Sequence, residues 1–240
     1  MFLGRRVRHL AETLAEPFGV LQGALLGLVA LILAFGMSLA LSRYEDRRAT
    51  VVMEANAIGT TWLRAQTLPE PERTRSLGLL VRYTESAIRL ADNVPGSDEE
   101  EAASASEQEL QRGLWRLAGQ ALDDAPNASA PRLYVETLNE MIDAQTVRVA
   151  ALKNRVPEAV LVLEVFGAAI ALGLLAAYLA IVGRGVVAVW LASALVAFLL
   201  LVISDLDRPT RGMIQVPDTA LRNQLDSMER PPAAEGPGAR

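Results

Sequence analysis

The side chains of this sequence that could do chemistry are charged residues beside or within apolar runs. Arg43 and Arg47 lie one helical turn apart after the first run, so copies of them in a symmetric oligomer would form a positive ring that selects anions. Ordinary anchoring of a helix by positive residues at a membrane surface explains the same pair. Glu164 lies inside the second run, where a carboxylate indicates either an ion path or a side chain that reaches the interface.

Two acids, Asp205 and Asp207, follow the third apolar run and are weak candidates for cation ligands. A calcium ion takes about six to eight oxygen ligands, far more than two carboxylates supply. We therefore expect a helix cap here, with Arg208 or Arg211 as the charged partner, and predict no metal and no cofactor.

The motif EANAIGT contains Glu54, Asn56 and Gly59. No chemical partner for these residues is visible in the nearby sequence, so we interpret them as packing residues. We expect Glu54 to pair with an arginine of a neighbouring helix, Asn56 to make a hydrogen bond between helices, and Gly59 to permit a close crossing.

Enzymatic activity is not expected from these residues. The only histidine, His9, lies in a basic segment, cysteine is absent, and the sequence has no phosphate-binding loop, zinc-protease motif or nucleophile elbow. The net charge of −5 arises mostly in the middle of the chain, so we expect no nucleic-acid partner.

Three apolar runs indicate a protein that spans the lipid bilayer. The first is too long for a cleaved signal peptide, although basic residues precede it, and we expect it to remain as an anchor. We predict a basic N-terminal segment that ends at Pro17 (1–17), a first transmembrane helix (18–43), a soluble helical region (44–156) with an acidic loop (95–106), a transmembrane hairpin (157–204, with helices at 159–182 and 186–203) and a C-terminal tail (205–240), disordered from about residue 230.

Small residues recur every four positions in the first run, at Gly19, Gly23 and Gly27, and Leu31 and Phe35 continue the series. Small residues at this spacing let another helix approach closely in lipid, although glycine is also generally frequent in transmembrane helices.

The soluble region shows apolar residues at three- and four-residue steps and no strand pattern. Four amphipathic helices of this kind could bury a small bundle core. We therefore predict an all-α integral membrane protein.

Orientation follows from the number of spans and the positions of the basic residues. Only a few residues separate the second and third spans, so three spans place the soluble region and the C-terminus on one side. Basic residues near the span ends are more numerous on that side, which favours the cytoplasm, although the N-terminal arginines oppose it. We predict a multi-pass protein of a bacterial inner membrane.

The stretch ALSRYEDRRATVVMEANAIGTTWLRAQTLPEPER, together with SDLDRPTRGMIQV, resembles a bacterial membrane family described as bestrophin-like. More distantly, Phe35 and the run that contains Arg43, Tyr44, Asp46 and Arg48 are similar to a segment that follows the pore-lining helix of bestrophin anion channels. The resemblance implies a homo-oligomer and small anions, such as chloride, as partners.

The same resemblance implies a pore neck with Gly27, Leu31 and Phe35 one turn apart. Gly27 departs from the bestrophin pattern because it has no side chain, so Leu31 and Phe35 would supply the apolar layers. An anion channel is therefore our leading hypothesis. The alternative is a membrane-anchored sensor or scaffold, whose helical region between the first two spans binds a ligand or a protein partner.

Overall fold

The computed structural model describes residues 2–93, 96–182, 185–208 and 212–230, with side chains from residue 17 onward except at positions 92, 181 and 182. These ranges contain helices and no strand, which confirms the all-α prediction. The helices are α1 (Phe2–Ala65), α2 (Glu72–Asp92), α3 (Asp98–Asp124), α4 (Ser129–Lys153), α5 (Glu158–Val182), α6 (Val186–Leu206) and α7 (Thr219–Met228).

Helix α1 is 64 residues long and passes through Pro17, where we predicted the N-terminal segment to end. That prediction was wrong because a proline removes only one backbone donor, a loss that a long helix tolerates, particularly in an apolar setting. No other proline falls within α1, and no glycine lies between Gly36 and Gly59. The backbone therefore remains helical through the charged residues that follow the apolar run.

The chain folds into two compact units. We call Met1–Arg43 with Arg155–Arg208 the membrane unit, and Tyr44–Asn154 with Pro209–Arg240 the bundle unit. Within the described residues, three helical stretches are long and apolar enough to cross a membrane, and their bounds are Pro17–Ala65, Ser129–Ala180 and Val186–Leu206. The second stretch contains the break between α4 and α5, and α5 begins directly after Pro157.

In the membrane unit, α5 and α6 pack as a hairpin and α1 packs on α5. Gly185 precedes α6 with a φ of +113°, a conformation that L side chains rarely adopt. A Cβ at this position would also lie 3.0 Å from the Leu179 side chain. Glycine therefore permits the tight connection between the two helices.

In the bundle unit, the last part of α1 packs with α2, α3, α4 and α7 around one core. Each helix buries residues at three- and four-residue steps, so the amphipathic faces predicted from the sequence meet one another. The fully buried apolar residues of this core are Ile58, Ala65, Leu80, Tyr83, Ala87, Leu114, Ala121, Tyr134, Leu138, Met141 and Leu221.

The acidic loop that we predicted for residues 95–106 is instead mostly helix, because α3 begins at Asp98. Ser97 caps this helix: its side-chain oxygen accepts a hydrogen bond from the backbone N–H of Glu100 at 3.2 Å. The Glu100 carboxylate accepts a second one from the N–H of Gly96 at 2.9 Å. Acidic residues suit a first turn because they meet the positive end of the helix dipole.

Candidate functional site

Leu31 and Phe35 lie on the exposed side of α1 in the membrane unit. Leu31 is 52% exposed and Phe35 is 66% exposed, whereas Val29, Leu33 and Ala40 are buried. The two sets alternate with the helical period, so α1 presents one face to its own unit and an apolar face outward. In the single chain, this outer face is uncovered.

The small-residue series that leads to Phe35 does not follow one side of α1. Gly19 packs on the ring of Tyr178, which an added Cβ would approach to 3.2 Å, whereas a Cβ at Gly23 or Gly27 would meet nothing within 4 Å. Each four-residue step turns the helix by about 40° more than a full circle, so the drift from Gly19 to Phe35 reaches about 160°. The series therefore begins on the face toward α5 and ends on the exposed face.

Glu164 on α5 is buried against Gly36 of α1. A Cβ at position 36 would overlap the Glu164 carboxyl group, so this side chain occupies space that only a glycine leaves open. Glu164 is 1% exposed, and in the described part of the chain neither carboxyl oxygen has a hydrogen-bond partner. An acid thus lies between two apolar helices, where an uncompensated charge is costly.

Arg43 and Arg47 have different surroundings, although they lie one turn apart on α1. Arg47 is 1% exposed and donates to the backbone carbonyl oxygens of Ala151 at 3.4 Å and Asn154 at 2.9 Å. Ala151 lies in the last turn of α4 and Asn154 directly follows the helix, where a positive charge is stabilised by the helix dipole. Arg43 is half-buried and belongs to the membrane unit. In the single chain, Arg47 therefore has a packing role within the bundle unit.

Glu54 joins a cluster of buried polar side chains in the bundle unit. Its Oε1 accepts a hydrogen bond from the Tyr83 hydroxyl at 3.0 Å, and its Oε2 forms an ion pair with Nε of Arg148. Arg148 also donates to Oε1 of Glu107 at 3.3 Å, and Gln145 donates to Oε2 of Glu107 at 2.9 Å. Helices α1, α2, α3 and α4 each contribute to this cluster, which ties them together in the core.

Two carboxyl groups share one guanidinium in this cluster, and burial dominates their titration. Burial raises the pKa of Glu107 to about 7; the positive charge of Arg148 opposes this effect, and the carboxylate of Glu54 adds to it. Burial likewise raises the pKa of Glu54, with Arg148 again opposing. Burial also holds the pKa of Tyr83 well above its ordinary value, so this hydroxyl remains a donor. Near neutral pH the carboxyl group of Glu107 is therefore close to losing its proton.

Asn56 and Gly59 lie at a groove between α1 and α7, with a volume of about 550 Å³. Asn56 is exposed, and its carbonyl accepts a hydrogen bond from the Thr60 hydroxyl at 3.0 Å. A Cβ at Gly59 would lie 2.7 Å from the side-chain oxygen of Gln224 on α7. The third residue of the motif thus allows α7 to approach α1, while Glu54 points into the core.

Asp207 connects the end of α6 to the start of α5 within the membrane unit. Its Oδ1 accepts a hydrogen bond from the backbone N–H of Val156 at 2.8 Å, and its side chain is buried. Asp205 is half-buried, and its carbonyl accepts a hydrogen bond from the N–H of Arg208 at 3.1 Å. Over the described ranges, no group of three acids or histidines could hold a metal ion.

Arg148 and Glu107 were not among the residues singled out from the sequence. Glu107 lies three and seven residues before Leu110 and Leu114, on the apolar face of α3. Arg148 likewise continues the buried series of α4 that includes Met141. Both charged residues occur at the helical spacing of a buried apolar face, and this spacing could have indicated a buried ion pair.

Comparison with known proteins identifies the family. A model of the Bestrophin-like domain matches residues 3–221, which is most of the chain. This chain belongs to the Bestrophin-like family. The family prediction made from the two sequence motifs is thereby confirmed. Comparison of this Bestrophin-like chain with curated proteins yields no significant match.

Solved structures share the fold of this Bestrophin-like chain. Two crystal structures of a bacterial bestrophin homolog from Klebsiella pneumoniae, one of them a point variant, superpose with TM-scores of 0.68 and 0.69. Their sequences are 19% and 18% identical to this chain, and each match covers 90% of this chain and 88% of the homolog. At that identity, the likeness concerns the fold.

Proposed function

We propose that this Bestrophin-like chain is one subunit of an oligomeric ion channel in a bacterial inner membrane, and that the channel conducts small anions such as chloride. The observation that carries the proposal is the uncovered apolar face of α1, where Leu31 and Phe35 stand more than half exposed beside a well-packed opposite face. Membership of the Bestrophin-like family supports an assembly in which copies of this face meet.

Leu31 and Phe35 would form two stacked apolar rings around the axis of such an assembly. Apolar constrictions of this kind gate by dewetting, since water and ions leave a narrow apolar passage. Position 27 adds no third ring because it is a glycine with open space around it. The constriction would therefore depend chiefly on Phe35, whose side chain is the larger.

Anion preference is assigned to Arg43 alone. Arg47 is occupied by the end of α4, so its guanidinium is not available to a collar around the axis. Arg43 is half-buried and adjoins the apolar part of α1. Glu45 and Asp46 are exposed in the following turn and would oppose an anion preference if they faced the ion path.

Flux through liposomes tests the channel itself. Purified protein reconstituted at several protein-to-lipid ratios should carry chloride, as measured by a chloride-sensitive dye inside the vesicles. Phe35→Ala should increase the flux because it removes the larger apolar ring. Phe198→Ala on α6 is the matched control, since this phenylalanine is also largely exposed but lies on another helix. Absence of chloride flux with the wild-type protein would overturn the channel proposal and leave the family assignment intact.

Reversal potentials test the selectivity separately. Arg43→Ala should reduce the preference for chloride over potassium, whereas Arg48→Ala, an exposed arginine of the same charged run, should not. A wild-type preference for cations would refute the anion proposal and would direct attention to Glu45 and Asp46.

We further propose that the bundle unit and the C-terminus lie in the cytoplasm. A reporter that is active only outside the cytoplasm, inserted after Gly96, should therefore be inactive. An active reporter would contradict this orientation and would favour the alternative function, a sensor whose helical region binds a ligand or partner.

A further inference from the structure

A cleft between α2 and α3 in the bundle unit is lined by three arginines. Its volume is about 550 Å³, which is in the usual range for small-molecule sites. Arg75 and Arg82 project from α2, two turns apart, and Arg116 projects from α3. No acidic residue lines this cleft in the part of the chain described, although the whole protein carries a net charge of −5.

The three guanidinium groups have no partner in the part of the chain that the structure describes. Within the described ranges, the side chains of Arg75, Arg82 and Arg116 form no ion pair and no hydrogen bond. Arg73, Arg112 and Arg222, by contrast, each form an ion pair with a carboxylate three or four residues away. The charge of Arg116 contributes slightly to the lowered pKa of Glu109, whose carboxylate pairs with Arg112 at 2.6 Å.

The floor of the cleft is shaped by glycine and leucine. Gly78 leaves the cleft open, since a Cβ there would meet nothing within 4 Å, whereas a Cβ at Gly113 would lie 3.1 Å from the Leu79 side chain. Leu79 and Leu117 form an apolar surface beneath the arginines. Positive groups around an apolar floor suit a ligand that combines charged and apolar parts.

We propose that this cleft binds a small soluble ligand with two or more phosphate groups, such as a nucleoside diphosphate or triphosphate. Guanidinium groups bind phosphate oxygens through paired hydrogen bonds, and three of them match more than one phosphate. The leucine floor accommodates an apolar or aromatic part of the same ligand. The site is independent of the channel function proposed above.

Calorimetric titration of the full-length protein in detergent tests this site. Pyrophosphate and ATP should bind at about 0.15 M salt, where exposed charges are largely screened, and inorganic phosphate should bind more weakly. Protein in nanodiscs with and without cardiolipin distinguishes a lipid source of phosphate from a soluble one. Binding of cardiolipin alone, or of none of these probes, would overturn the proposal.

Variants separate the cleft from general electrostatics. Arg82→Gln and Arg116→Gln should each weaken ATP binding roughly tenfold or more, because each removes a charge-assisted contact. Gly78→Leu should block binding by placing a side chain in the open cleft. Arg132→Gln on α4 is the control, since it removes one positive charge elsewhere on the same unit. An equal loss with Arg132→Gln would also refute the site.

Discussion

Buried charge is concentrated at Glu54, Glu107 and Arg148 in the bundle unit. A buried ion pair contributes little net stability against a well-packed apolar alternative, but removal of one member is costly. Here the two acids outnumber the single guanidinium. The unit therefore stabilises a state in which one carboxyl group holds a proton.

The stability of the bundle unit should consequently depend on pH through Glu107. The pKa of Glu107 is about 7 in the folded chain, whereas the ordinary value of a glutamate, expected in the unfolded chain, is 4.5. Between pH 4.5 and pH 7 the folded form therefore binds more protons than the unfolded form. The free energy of unfolding should therefore fall as the pH rises from about 5 to 8, by an amount on the order of 3 kcal/mol. Denaturant titration in detergent at both pH values would measure the change.

Glu107→Gln should remove most of this dependence because glutamine does not titrate. The control is Glu109→Gln, an exposed acid of the same helix whose pKa is lowered by the hydrogen bond from Arg112. This control should retain the fall in stability at high pH. Equal pH profiles for the wild type and Glu107→Gln would show that Glu107 is not the responsible group.

In the membrane unit, Gly36 of α1 and Glu164 of α5 are in close contact. Gly36→Ala should lower the thermal midpoint of the protein in detergent, because the new Cβ overlaps the Glu164 carboxyl group. The double variant Gly36→Ala with Glu164→Ala should recover part of the loss. Gly23→Ala is the matched control and should have little effect, since its Cβ meets nothing within 4 Å.

At the scale of the element, the start of α3 depends on a single cap. Ser97→Ala removes the acceptor for the Glu100 N–H and should cost about 1 kcal/mol in the free energy of unfolding. The control is Ser106→Ala, a change at an exposed position inside the same helix. An identical stability for Ser97→Ala and the wild type would mean that the four acids of the first turn suffice to hold the helix start.

At the scale of the whole molecule, the channel proposal requires several copies of the chain. The exposed face of one α1 cannot enclose a passage, so Leu31 and Phe35 can line a pore only when other subunits close the ring. Light scattering in a mild detergent should therefore give a protein mass of at least three times the 25.8 kDa of one chain, roughly the smallest number that closes a ring. A monomer in every mild detergent would contradict the pore.

The helical class, the apolar runs and the family could all be predicted from the sequence. The helical class follows from apolar residues that recur at helical spacing, and the family follows from two motifs that are each continuous in the chain. These features are local, so they can be identified without knowledge of distant contacts. Predictions from local composition were wrong at Pro17 and in the acidic segment after Ser97, both of which are helical. There, the length of α1 and the capping of α3 outweighed the composition.

Which charged residues are buried, and which groups they contact, became visible from the packing of the helices. The sequence placed Arg43 and Arg47 together, but Arg47 lies against the end of α4, which is more than a hundred residues away. The partner of Glu54 is Arg148, and the cleft arginines come together only because α2 and α3 pack side by side. Helical period specifies the face on which a residue lies, whereas its neighbour depends on contacts between distant helices, which no local pattern encodes.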